Sequence, residues 1–209
     1  MADPFPGYDV LDKRGSLSWN EPTRAAIDHR MRLEVPGGVL SERQLATLHL
    51  VAARVCPDPE GRAPTTTLAM VVEKIAQDAS DGFRHHTLPR TAECWRRGLD
   101  AIEAEAQARY GANFASLDAA QADAVLREIE SGNVRAREWD SLPPQTFWNW
   151  RLLHDLVSAH WAQPSLWSAM GFGGPASPRG YVRTSANRRD PWEAIERGED
   201  TRGLPRHRE

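Results

Sequence analysis

Seven histidines and a scatter of carboxylates are the residues of this chain whose types could do chemistry, and their spacing decides what chemistry is open to them. His85 and His86 are adjacent, so in regular structure their rings diverge, and no carboxylate or cysteine follows at ligand spacing. His154 and His160 are six residues apart, about 240° around a helix, and do not share a face. Glu103 and Glu105 point in different directions from one helix. Asp155 is a sequence neighbour of His154 rather than a partner at helical spacing. No metal site and no acid–base pair is therefore expected, and His160 is expected to act as a polar tip satisfied by a hydrogen bond on an aromatic-rich surface. Cys56 and Cys94 fall in no zinc, haem or redox pattern. They read as two buried thiols, with a disulfide as the minority alternative. The run Gly171-Phe172-Gly173-Gly174-Pro175 is glycine-rich but lacks the Lys-Ser/Thr of a phosphate loop. It reads as a turn needing positive φ or close backbone approach.

The elements that must position these residues are helical. Ser41 with Gln44 forms a capping box, and Leu45, Leu48, Ala52 and Val55 recur at helical spacing until Pro57. Leu68, Val71, Val72, Ile75 and Ala79 mark a second bundle helix ending at Ser80-Asp81-Gly82. Trp95, Leu99, Ile102, Ala106 and Tyr110 mark a third, closed by Gly111. Asp118 with Gln121 opens a fourth, whose stripe is Val125, Leu126 and Ile129 before Gly132. A fifth begins at Ser141-Leu142-Pro143-Pro144 and is apolar all round, from Phe147 through Trp161. It is therefore either central in the bundle or covered on one face by another protein. No alternating, β-branched run of strand length occurs.

The expected fold is all-α: a bundle of five or six helices over residues 41–170, between extended arms at 1–40 and 171–209. The first arm reads as extended to about Gly15, then as a short helix capped by a Ser18/Glu21 box. The second arm is too poor in aliphatic residues to fold against its own conformational entropy, so it is disordered or wrapped on a partner.

Composition excludes several function classes. With 209 residues, 26 basic and 29 acidic, the net charge is −3, and this gives no bulk attraction for nucleic acid. The mean hydropathy is −0.58, and the absence of a long apolar run argues against direct membrane insertion. Only Lys13 and Lys74 are lysines, and tryptophans outnumber tyrosines eight to three. G+C-rich coding accounts for the arginine excess. The tryptophans point to interfaces, where a fully desolvated aromatic contributes about 2 kcal/mol or more. The first twenty residues contain no apolar stretch of an export signal, so a cytoplasmic location is expected, or a periplasmic one if a signal-bearing partner carries the chain out.

Three blocks of sequence, LATLHLVAARVCPDP, WRRGLDAIEAEAQARYGANFASLDAAQADAVL and HWAQPSLWSAMGFGGPASPRGY, resemble in order and spacing the gluconate 2-dehydrogenase subunit 3 family. The resemblance covers roughly residues 40–182. It implies a non-catalytic small subunit that aids folding, maturation or export of an FAD-binding, glucose-methanol-choline type large subunit oxidising a sugar, glycoside or sugar acid. The resemblance also implies a cytochrome c subunit as a further partner. FAD would sit in the large subunit, with no cofactor, metal or catalytic residue in this chain. The family's frequent twin-arginine signal is missing. On this reading the partner contacts are Trp148, Trp150, His160, Trp161, Trp167, Phe172, Gly173, Gly174, Pro175, Tyr181 and Trp192. The alternative is a free-standing helical ligand- or metal-binding enzyme using the histidines.

Overall fold

A computed structural model describes residues 3–177, 180 and 193–198 of the chain. Among the described residues there are eight α-helical segments and no β-strand, as an all-α fold requires. No helix among them is long and apolar enough to cross a membrane. The chain divides into two units, one made of the described parts of Met1–Leu33, Asp58–Thr66 and Trp161–Glu209, the other of Glu34–Pro57 and Thr67–His160.

The second unit holds the five helical rods that the periodicity predicts. They are α2 (Glu42–Val55), α3 (Thr67–Ala76), α4 (Thr91–Tyr110), α5 (Ala119–Ser131) and a run from 144 to 160. That last run is α6 (Pro144–Phe147), a π-turn (Trp148–Leu152) and α7 (Leu153–His160). The local signals act as expected. Ser41 and Gln44 form the reciprocal box that opens α2, and Asp118 and Gln121 the one that opens α5. Gly111 and Gly132 end their helices in the left-handed conformation. One end differs: α3 stops at Ala76 rather than running to Ala79, because Asp78 adopts φ 46°. The Asp78 carboxylate accepts from the Ala92 amide, at 2.9 Å, and so serves as the missing cap of α4.

It is α4 that packs against α2, α3, α5 and the π-turn. Its Gly98 is required by this packing, since a β-carbon there would lie 2.2 Å from the Phe147 ring. Around it Leu48, Val51, Val72, Ile75, Leu99, Ile102, Val125, Ile129, Leu152 and Leu156 form one continuous core.

The first unit is assembled from three separated stretches. Residues expected to be extended instead include a 3-10 helix, Val10–Gly15, with Asp9 as its cap. The helix α1 (Glu21–Arg32) is capped by Asn20, which accepts from the Thr23 amide at 3.0 Å; the Ser18/Glu21 box does not form. Its Ile27 joins Val10, Trp19 and Trp167 of α8 (Pro164–Ala169) in a small core. Arg62 ties the middle stretch in by donating to Asp3 Oδ2 (2.7 Å), Tyr8 O (2.7 Å) and Phe5 O (2.6 Å).

Candidate partner interface

The rod at 144–160 inverts the usual pattern, with charges facing inward and an aromatic outward. Asp155 and Arg151 are only 2% and 3% exposed, whereas Trp150 is 49% exposed. A buried carboxylate is costly unless its charge is paired and its oxygens are hydrogen-bonded. Here Asp155 Oδ2 accepts from Trp95 Nε1 at 2.7 Å and from Arg151 Nη1 at 3.1 Å, and Oδ1 accepts from Lys74 Nζ at 2.9 Å. Burial pushes the Asp155 carboxyl up, but the Lys74 bond, the Arg151 charge and the Trp95 bond outweigh it and hold it below the usual aspartate range.

Lys74 also donates to both oxygens of Asp81, at 2.7 and 2.8 Å. His154 Nδ1 lies 3.3 Å from Asp155 Oδ1 and 3.7 Å from Asp81 Oδ2. Asp81, His154 and Asp155 thus converge as a metal-like donor set, a grouping that the spacing did not suggest, since Asp81 comes from the loop after α3. His154 and Asp155, read from the sequence as neighbours rather than partners, do meet, with the carboxylate also reaching Lys74. The fit to a cation is nevertheless poor, because the Lys74 ammonium already bridges the two carboxylates at bonding distance.

Above this network lies an exposed group of rings. Phe83, 56% exposed, packs edge-on against Trp150 (6.4 Å between centroids) and His154 (6.0 Å). His85 lies 5.8 Å from Trp150 and stacks on His86 at 4.7 Å. Sequence reasoning missed Phe83 entirely. Its only signal is a large apolar residue directly after Ser-Asp-Gly, where a turn should be polar.

The other nominated residues are placed as follows. Trp148, beside Trp150 in the π-turn, is buried in the core. His160 is buried and its Nδ1 lies 3.1 Å from Thr67 Oγ1, so the imidazole is bonded but interior rather than on a surface. Trp161 is exposed and its carbonyl accepts from Trp167 Nε1 at 2.7 Å, with Trp167 itself buried. Phe172 is exposed and meets Trp167 edge-on.

Gly173, Gly174 and Pro175 clasp the N-terminal stretch. The Gly173 carbonyl accepts from Lys13 Nζ (2.6 Å) and the Pro175 carbonyl from Trp19 Nε1 (2.9 Å). Gly174 has φ 64°, and a β-carbon there would lie 2.9 Å from Val10 Cγ2 and 3.2 Å from Trp167 Cε3. Both readings of that glycine, positive φ and close approach, hold, with Val10 and Trp167 packed against it. The stretch continues into a parallel bridge between Trp19 and Ser177. Tyr181 and Trp192 lie outside the described residues.

The remaining candidates for chemistry have structural duties. Glu103 Oε2 accepts from the Phe114 amide at 3.0 Å and from Thr47 Oγ1 at 3.3 Å. Glu105 accepts from Arg109 Nε at 2.6 Å and from the amides of Arg135 and Ala136, each at 2.9 Å. Cys56 and Cys94 are both buried and form no disulfide, and burial pushes each thiol up to about 11.

Comparison with known proteins bears on the chain as a whole. Neither the curated proteins nor the solved structures return a match. The sequence profile of the family described as Gluconate 2-dehydrogenase subunit 3 matches residues 42–174, well over half of the chain. That span takes in all five rods of the second unit together with Trp167 and the Gly173-Gly174 clasp, and the chain belongs to the gluconate 2-dehydrogenase subunit 3 family.

Proposed function

We propose that this chain is the non-catalytic small subunit of a dehydrogenase complex, binding and stabilising an FAD-containing large subunit that oxidises a sugar, glycoside or sugar acid. The observation that carries the proposal is the family match over residues 42–174, since the family is one of dehydrogenase-complex subunits. The site geometry supports it. Buried groups that could do chemistry, Glu105, Asp155, His160 and the Oε2 atom of Glu103, are engaged in hydrogen bonds that hold the helices, while Glu103 Oε1 has no hydrogen-bond partner. The large aromatics Phe83 and Trp150, by contrast, are left facing solvent, as a protein-binding surface requires. Flavin chemistry, and delivery of electrons to a cytochrome c, belong to other subunits in this proposal. Export follows the large subunit, with the periplasm as the destination when that subunit bears a signal.

Purification of the tagged chain from its native cell tests the reading. The expected result is co-elution of a large subunit with flavin absorbance, and loss of soluble, active dehydrogenase when the gene for this chain is deleted. Elution of the chain alone, with dehydrogenase yield and activity unchanged by its deletion, overturns it. The competing reading, a metal enzyme built on Asp81, His154 and Asp155, requires displacement of Lys74 and predicts stoichiometric metal in the isolated chain.

A further inference from the structure

We infer that the aromatic face made by Phe83, His85, His86, Trp150 and His154 is the docking surface for the flavoprotein subunit, and that it receives an apolar patch edged by carboxylates. This assignment rests on the accessory-subunit reading and adds to it the face and the partner's chemistry.

Three observations converge on this face. The first is that the loop carrying Phe83 is held in a costly conformation. Asp78 is a non-glycine residue at φ 46°, a conformation unfavourable by about 1 kcal/mol or more, and it persists because its carboxylate binds the Ala92 amide and Arg90 Nε. The far end of the loop is anchored by Asp81 on Lys74. The loop is thus tied down at both ends, and Phe83 stands on an anchored backbone.

The second concerns Trp150, which stands on a π-turn, a local departure from α-helical geometry that recurs at functional positions. Directly beneath it Arg151, Asp155, Lys74 and Trp95 lock the rod in place. A half-exposed tryptophan on a rigid base is pre-organised, so little side-chain freedom remains to be lost on binding.

The third is charge. Arg84 borders the rings, and its guanidinium donates to the Leu88 carbonyl. Among the described residues no carboxylate pairs with it. The nearby Asp81 is already neutralised by Lys74, and Asp78 by Arg90. Apolar rings with a cationic edge complement carboxylates around an apolar centre. A second copy of this chain on the same two-fold face would set Arg84 against the same cationic edge, so self-association is disfavoured there.

The test is the affinity of the full chain for its flavoprotein subunit. Phe83→Ala with Trp150→Ala is expected to weaken binding by at least about 30-fold, the scale of a central aromatic pair. Arg84→Glu is expected to slow association about tenfold and to reduce its salt dependence. Met31→Ala, an exposed apolar change in the first unit, is expected to leave the affinity unchanged. All these side chains are at the surface, and unchanged circular dichroism and melting temperature establish that the variants are folded. Undiminished binding by the double variant overturns the assignment alone. So does an effect of that variant only on self-association of the isolated chain. Failure of the unaltered chain to bind any flavoprotein overturns the accessory-subunit reading and this assignment with it.

Discussion

Two buried tryptophans, one in each unit, are held in different ways. Trp95 of the second unit donates its indole N–H to the Asp155 carboxylate, inside a network of charges on long helices. Trp19 of the first unit donates to the Pro175 carbonyl, inside a joint made of short segments and coil. The first kind of joint strands ions when it is broken. The second loses one neutral bond and some packing. The difference teaches that similar burial does not imply similar fragility, and that what the polar tip is bonded to decides the cost.

The sharpest way to break the comparison is at Asp155. Asp155→Ala leaves Arg151 buried without its counter-ion and Trp95 without an acceptor, and is expected to destabilise the second unit by about 3–5 kcal/mol in urea unfolding. The pH dependence follows from the depressed carboxyl. The unfolded chain binds this proton more readily than the folded one, so stability rises with pH across the titration range. The contribution is complete above the ordinary aspartate value of about 3.9 and is lost as pH falls through the lower folded value. Unfolding followed from pH 5 downward is therefore expected to be steeper for the wild type than for Asp155→Asn. Equal slopes would mean that the network is not the support described above.

The corresponding break in the first unit is Gly174→Ala. It imposes a side chain at φ 64° and drives the β-carbon against Val10, for an expected cost of about 2–3 kcal/mol. Hydrogen exchange reads where the cost falls. Faster exchange is expected at the amides of Val10 and Phe172, which are bonded to Ser168 Oγ and Trp167 O, while the amides inside α4 keep their protection. Trp19→Phe is milder. It keeps most of the ring but removes the donor to Pro175, and about 1–2 kcal/mol is expected.

These two joints also mark what could be read from the sequence. The second unit was legible because its signals are local. Capping boxes, apolar periodicity and terminal glycines lie within a few residues of the helices they define and located the first four rods, and the prolines and apolar run at 141–161 located the fifth. The π-turn was not legible. With Arg151 and Asp155 turned inward and Trp150 outward, the rod looks apolar all round, and the two neighbouring tryptophans cannot be told apart by period alone. The first unit was poorly legible because its joints cross more than 150 residues of chain: Val10 to Ser168, Lys13 to Gly173, Trp19 to Pro175. The same contacts explain the misplaced cap of α1. Ser18 lends its carbonyl to the Ser177 amide, and Asn20, whose own amide bonds the Ser177 carbonyl, is left in the geometry that caps the helix. For the candidate surface, Trp150 was named from sequence, whereas Phe83 and Asp81 come from a loop whose fold depends on the long-range contacts of Asp78 and Lys74.

The smallest expected effects give the cleanest separation of local from distant control. Ser41→Ala removes the side-chain acceptor for the Gln44 amide, and about 1 kcal/mol is expected for the loss of this cap. Asn20→Ala removes the acceptor for the Thr23 amide and, in addition, the 3.3 Å contact from Asn20 Nδ2 to Ser177 Oγ. The two substitutions alone are expected to cost similar amounts. Combined with Ser177→Ala they diverge: Asn20→Ala shows a coupling of about 0.5 kcal/mol with Ser177, and Ser41→Ala is additive with it. Denaturant unfolding of the single and double variants measures both couplings. A coupling of zero at Asn20 would place its cap on the same local footing as Ser41, and the misreading of the α1 start would then need a cause other than the distant strand of residues that holds it.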